Sequence, residues 1–353
     1  MTWLGEQLAR IADEMPERDL YILALEARRR RRRNLGAFTA AAMAVVTIIA
    51  VTFLVQSLDG EPEAATRPSA PPELSSLKVG TAPTVEAAPL FVAWRKGYFR
   101  EEGITVELAV TTGAPVTIPQ AEAGTLDIIQ ADYVSVLLAN DHGKDFRIVS
   151  GLYRSAPGDL AVVVPSGSEI RTMRDLKGKK VMVPILRTFE SLALLAALER
   201  AGLSERDVVL VERPYPQIGA ELRQGRAHAA VLAEPWITVN RMRKVQDLTA
   251  GTLAGLHTTG MAADARWVRH HPRTVAAFRR ALAKAQRLIA DDPRVVREVL
   301  PMYTKTLPDE AARMTFGTYP AEIGPKELRK VGDLAQAHRW LRGPVDLPRV
   351  LGN

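Results

Sequence analysis

Polar side chains stand where predicted strands give way to predicted helices, and their spacing suits them for chemistry at one edge of a sheet. Helix N-termini carry free N–H groups and partial positive charge, so polar groups of a ligand are favoured there. Local roles compete at some positions: a threonine can cap its helix, an acid can complement the helix dipole, and a tryptophan can belong to the core. The candidate contacts are Thr81, Pro83, Glu86, Thr112, Gly113, Asp132, Tyr133, Arg187, Thr188, Glu190, Glu234 and Trp236.

The residue inventory argues against catalysis. The chain of 353 residues has no cysteine and six histidines, so disulfides, thiolate metal sites and a cysteine nucleophile are excluded. No H-E-x-x-H, G-x-S-x-G, Walker or G-x-G-x-x-G pattern occurs. His270 and His271 precede Pro272 at a predicted helix entry, and zinc needs three or four convergent ligands. We therefore expect a protein that is not an enzyme and that needs no cofactor or metal.

The elements that must position the candidates follow an α/β pattern. Residues 77–108 predict a strand, a polar loop, an amphipathic helix and a second strand. One such βαβ unit predicts a parallel sheet with a right-handed crossover. Ligands of these sheets bind at the carboxyl ends of the strands, where the candidates lie.

The sequence of residues 88–108, APLFVAWRKGYFREEGITVEL, resembles the first segment of the substrate-binding proteins of ABC importers for nitrate, alkanesulfonates, taurine and thiamine pyrimidine precursors. Later segments match the same family in the same order, namely AGTLD at 123–127 and DLKGK at 175–179. Segment 221–236 also matches, although His228 stands where the family has an aspartate. The matching residues of the opening are Ala93, Lys96, Gly97, Tyr98, Phe99, Glu102 and Gly103.

This resemblance implies an α/β fold of the type II periplasmic-binding-protein class, with two α/β lobes and a hinge. It places lobe 1 at residues 77–163 plus 258–345 and lobe 2 at 164–257, with the hinge at about 163–165 and 256–259. The implied function is capture of a small-molecule solute between the lobes and delivery to an ABC permease. We expect a monomer.

The N-terminal region predicts a membrane anchor. Residues 35–55 are uncharged and mostly apolar, and roughly 20 such residues span a bilayer. Six arginines, Arg28 to Arg33, precede this span, which places a tail of residues 1–34 in the cytoplasm. The run explains much of the net charge of +7 by topology and lipid headgroups, so we expect no nucleic-acid partner. Residues 56–76 predict a disordered tether to an extracellular binding domain of a single-pass cell-membrane protein.

Two other functions remain open. The first is a ligand sensor of the same fold that works without an importer. The second is an enzyme of the thiamine-pyrimidine or menaquinone pathway, since both pathways use this fold. The thiamine-pyrimidine synthases use their own histidine and a cysteine-rich segment, which fits a cysteine-free chain badly. The menaquinone enzymes are soluble inside the cell, which conflicts with the predicted anchor.

The charges at the candidate loops predict the class of ligand. Glu86, Asp132, Glu190 and Glu234 are acids, whereas Arg187 is the lone cation among the candidates. Acids repel a small anion such as nitrate. We therefore expect a ligand with a cationic or donor-rich heterocycle, with any single anionic group at Arg187.

Overall fold

The computed structural model describes residues 70–249, 253 and 255–352. The predicted cytoplasmic tail (1–34), membrane helix (35–55) and most of the tether lie outside the described residues. Within the described part, none of the helices combines the length and apolar character needed to cross a bilayer.

Two five-stranded sheets organise the described chain. Their orders are β2-β1-β3-β10-β4 and β7-β6-β8-β5-β9. The two orders are equivalent, so each lobe repeats one architecture. The strands are β1 Ser76–Thr81, β2 Thr105–Val110, β3 Ile128–Asp132, β4 Phe146–Arg154, β5 Leu160–Val164, β6 Lys180–Val183, β7 Val209–Glu212, β8 Ala229–Ala233, β9 Arg243–Asp247 and β10 His257–Asp264.

Helices cover the sheets and begin where the parallel strands end. The predicted opening helix is broken at Gly97, whose φ of 80° ends one helix and starts the next. The α-helices are α1 Ala88–Lys96, α2 Tyr98–Glu101, α3 Ala114–Glu122, α4 Tyr133–Asp141, α5 Phe189–Arg200, α6 Tyr215–Arg223, α7 Trp236–Asn240, α8 Ala265–His270, α9 Pro272–Asp291, α10 Arg294–Val299, α11 Pro308–Arg313, α12 Pro325–Ala337 and α13 Leu347–Leu351.

In each sheet three neighbouring strands are parallel to one another, and one strand runs antiparallel to both of its neighbours. β1 pairs in parallel with β2 and β3, and β6 pairs in parallel with β7 and β8. β10 runs antiparallel between β3 and β4, while β5 runs antiparallel between β8 and β9. The carboxyl ends of the parallel strands, and the helices that follow them, therefore gather at one edge of each sheet.

The lobe boundary differs from the predicted one. β5 was expected to close lobe 1 and to carry the hinge at 163–165, but it pairs with β8 and β9 in the second sheet. The first crossover is therefore residues 155–159, and the chain returns to lobe 1 between the end of β9 and the start of β10. The sequence hid this arrangement because β9 reads RKVQD, which lacks the apolar alternation of a strand.

The end of the predicted tether is ordered against the fold. The Glu73 carboxylate accepts hydrogen bonds from the backbone N–H groups of Arg273 (3.1 Å) and Thr274 (2.7 Å), at the start of α9. Leu74 N–H donates to Thr274 Oγ1 at 3.0 Å, and Ser76 opens β1. The prediction of disorder through residue 76 was thus wrong for these last residues, because an acid at a helix N-terminus anchors them.

Candidate functional site

A cleft lies between the loops of the two lobes. It contains two small neighbouring voids of about 40 and 20 Å³, enough for a few water molecules in this closed arrangement of the lobes. Four residues line both voids, which makes the cleft continuous: Glu86, Asp132, Glu190 and Thr259.

Six of the twelve predicted contacts line this cleft. Lobe 1 contributes the loops after β1, β2 and β3, and lobe 2 contributes the start of α5. Parallel strands bring these loops together because their carboxyl ends share one edge. The six are Glu86, Thr112, Gly113, Asp132, Thr188 and Glu190.

Asp132 joins the two lobes through one carboxylate. Its Oδ1 accepts a hydrogen bond from Ser135 N at 3.0 Å and so caps α4. The same oxygen accepts from Phe189 N at 3.0 Å, the first residue of α5 in the other lobe. Burial, followed by repulsion from Glu190, raises the pKa of Asp132 to about 7. Its position at two helix N-termini provides the donors that a buried carboxylate needs.

Glu86 is another acid of the cleft lining, together with Asp132 and Glu190. Gln130 Nε2 donates to its carboxylate at 3.3 Å, and Tyr215 Oη donates to the neighbouring Glu190 at 3.2 Å. Burial, followed by repulsion from Glu190, raises the pKa of Glu86 to about 8. No lysine or arginine is among the described residues that line the two voids. The cleft therefore offers carboxyl groups whose neutral form is favoured, and its described lining provides no basic side chain to neutralise an anion.

Arg187 points elsewhere. The residue is exposed, its φ is 61°, and its guanidinium lies 5.0 Å from the centroid of the Trp340 ring. It is absent from the lining of both voids. The structure thus places Arg187 outside the two voids, in a cation–π contact with Trp340, and the predicted anionic subsite at this residue stays a prediction.

Thr81 and Tyr133 are buried supports and do not line the voids. Thr81 Oγ1 donates to Gln130 Oε1 at 2.6 Å, which orients the amide that reaches Glu86. Tyr133 is fully buried in the core of lobe 1. In a strand-to-helix turn only alternate side chains can face the cleft, and these two face inward.

Pro83, Glu234 and Trp236 connect the lobes beside the cleft. Trp236 Nε1 donates to the Pro83 carbonyl at 2.9 Å, and its ring stacks on Tyr215 with centroids 6.0 Å apart. Val85 N donates to the Glu234 carbonyl at 3.2 Å. The Glu234 carboxylate, 2% exposed, accepts from the backbone and hydroxyl of its own α7. These residues hold the lobes together and do not line the voids.

Several cleft residues were missed by the sequence predictions. Tyr215 follows β7 as the first residue of α6, so the rule that found the others could have found it. Thr259 and Asp159 lie on or before antiparallel strands, where that rule does not apply. The missed lining residues also include Thr84, Gln130, Tyr153, Ile185, Thr249 and Thr258. A group of three or more side chains suited to a metal is not found among the described residues.

Comparison with known proteins agrees with this architecture. The riboflavin-binding protein RibY of Chloroflexus aurantiacus is 29% identical over 76% of this chain and 74% of that protein. The nitrate/nitrite binding protein NrtA of a Nostoc species is 24% identical over 61% of this chain and 54% of that protein. The structure of the alkanesulfonate-binding protein SsuA from Xanthomonas axonopodis, bound to MOPS, superposes with a TM-score of 0.66 at 21% identity, covering 79% of this chain and 96% of that chain.

The fold is accordingly that of the periplasmic binding proteins, as predicted. A protein-family profile described as "NMT1/THI5 like" matches residues 84–295, more than half of the chain. With this match the chain belongs to the NMT1/THI5-like family.

Proposed function

We propose that this protein is a solute-binding protein that encloses one small molecule between its lobes and delivers it to an ABC import permease. The observation that carries the proposal is the cleft itself, lined by polar side chains of both lobes. Hydrogen bonds from Phe189 N to Asp132 and from Trp236 to Pro83 link the lobes beside it. The named relatives RibY and NrtA are binding proteins, which supports binding over catalysis.

The solute we propose is uncharged or cationic, rich in hydrogen-bond donors, and built on a heterocycle. Glu86, Asp132 and Glu190 present acceptors at the centre of the cleft, with no basic partner among the described lining residues. Nitrate would find no lysine or arginine to neutralise its charge among the described lining residues. Riboflavin fits the requirement, since it is neutral, carries several hydroxyls and has a ring N–H. The relative at 29% identity is named for that ligand.

The ligand class can be tested with the purified full chain. Riboflavin at about 100 times its dissociation constant should stabilise the folded state by roughly 2.7 kcal/mol. At about 2–4 °C per kcal/mol for domains of this size, the melting temperature should rise by several degrees. Nitrate and taurine serve as comparison ligands. Stabilisation by nitrate alone would contradict the proposed ligand class.

We also propose that residues 35–55 anchor the protein in the cell membrane, with residues 1–34 in the cytoplasm. The support is the arginine run, Arg28 to Arg33, beside an uncharged span. Protease added outside intact protoplasts or spheroplasts should release a fragment that begins before residue 73. Complete protection of the C-terminal part would refute this topology.

A further inference from the structure

Asp159 ends the first crossover between the lobes, and in the part of the chain that the structure describes only its Oδ2 accepts hydrogen bonds. Its side chain is 4% exposed. Tyr153 Oη and Ala156 N each donate to Oδ2 at 2.7 Å. Oδ1 is buried and accepts no hydrogen bond of normal geometry from the described residues. The nearby Thr249 hydroxyl lowers the pKa of Asp159, but its single proton is shared between the Ala156 carbonyl and Asp247 Oδ1, each at 2.8 Å.

An unpartnered buried carboxylate oxygen is costly, and such groups in native structures call for a specific explanation. Here the residue lines the second void, on the side of the cleft formed by the crossovers. Ser155, Thr249 and Thr258 line the same side, and Glu86 connects it to the first void. The orphaned oxygen thus belongs to a polar extension of the binding cleft.

We propose that Asp159 is a specificity-determining residue whose Oδ1 accepts a hydrogen bond from a hydroxyl or N–H group of the solute. The inference rests on the proposed solute-binding function and extends it to one atom. Tyr153 and Ala156 fix the carboxylate through Oδ2, so that Oδ1 is held ready without rearrangement. A solute group at this position satisfies the buried oxygen and contacts the first crossover between the lobes.

The test substitutes Asp159→Asn in the full chain. The amide keeps one oxygen to accept from Tyr153 and Ala156, and it presents a donor where the carboxylate presents an acceptor. Asp247→Asn is the matched control, because Asp247 acts electrostatically on Asp159 but does not line either void. Binding of riboflavin and of lumiflavin, which lacks the ribityl chain, is followed by flavin fluorescence.

We expect Asp159→Asn to weaken riboflavin binding by about tenfold or more, because a donor of the solute then meets the amide NH₂ in place of an acceptor. Asp247→Asn should change the affinity by less than about twofold, as expected for a charge outside the contact. Weaker riboflavin binding with unchanged lumiflavin binding assigns the donor to the ribityl hydroxyls, whereas equal weakening assigns it to the ring N–H. Both results support the inference.

Unchanged riboflavin affinity in Asp159→Asn overturns the inference while leaving the proposed function intact. Equal weakening by Asp159→Asn and Asp247→Asn also overturns it, because a general charge effect then explains the loss. Absence of riboflavin and lumiflavin binding by the wild type refutes the proposed ligand class, and the inference fails with it. Circular dichroism of each variant establishes that it is folded before binding is compared.

Discussion

Replacing Glu86 by glutamine should remove a pH-dependent destabilisation of the ligand-free protein. Burial, followed by repulsion from Glu190, raises the pKa of Glu86 from its usual 4.5 to about 8. The folded protein therefore keeps a proton on Glu86 at pH values where the unfolded chain has released it. Stability from this group is complete below about pH 4.5 and is lost as the pH rises to about 8.

The magnitude follows from the two pKa values. Each pH unit between them corresponds to about 1.4 kcal/mol, so the loss above pH 8 is at most about 5 kcal/mol. Water that enters the cleft reduces this figure, because it screens the carboxylate. Glutamine does not titrate, so Glu86→Gln should be more stable than the wild type by a few kcal/mol at about pH 8. The two proteins should be nearly equal at about pH 4.5.

The assay is thermal melting of the purified full chain across this pH range, without ligand. A few kcal/mol should separate the two melting temperatures by roughly 5–15 °C at the alkaline end. Glu122→Gln is the matched control, since it removes the same charge from a surface ion pair with Lys144. Exposed pairs of this kind contribute about 0–1 kcal/mol, so its effect should be small and should not grow over this range.

A difference between Glu86→Gln and the wild type that stays constant from acid to alkaline pH would refute the reasoning. Glu190→Gln provides a second check, because repulsion from Glu190 raises the pKa of both Glu86 and Asp132. Its removal should lessen the alkaline loss of stability in the wild-type background. A steeper loss of stability with rising pH in Glu190→Gln would show instead that Glu190 stabilises the fold through its hydrogen bond with Tyr215.

Three further substitutions test the arrangement of the site. Asp132→Ala should destabilise the protein by about 1–3 kcal/mol in chemical or thermal unfolding, because it removes the cap of α4 and the acceptor for the first N–H of α5. An unchanged free energy of unfolding would contradict the role of Asp132 at two helices. Trp236→Phe removes the 2.9 Å hydrogen bond to Pro83 and should loosen the closed lobes, raising the radius of gyration in small-angle scattering without ligand; unchanged scattering would argue against this link. Arg187→Ala should leave riboflavin affinity within about twofold, since the guanidinium lies over Trp340 outside the cleft; a tenfold loss would return Arg187 to the site.

The local sequence pattern was enough to predict most helices and strands, and six of the twelve predicted contact residues line the cleft. Asp132 is the last residue of β3, and Glu86 and Glu190 lie five and seven residues after the ends of β1 and β6. Residues this near the end of a strand stay near that edge of the sheet, which is why the pattern found them. The helix that follows adds its N-terminal N–H groups, as Asp132 at α4 illustrates. These relations involve neighbours in the chain, so composition and spacing reveal them.

Long-range pairing decided the remainder. β5 is an apolar strand that could close either sheet, and its pairing with β8 and with the polar β9 assigns it to lobe 2. Asp159 lies just before β5 and Thr259 lies on β10, and each of these strands runs antiparallel to its neighbours. The two residues reach the cleft through these strands, a placement that requires both sheets. Arg187 leaves the cleft because Trp340, far away in the sequence, provides a ring for its charge. The direction of a side chain depends on such distant partners, and local sequence carries no information about them.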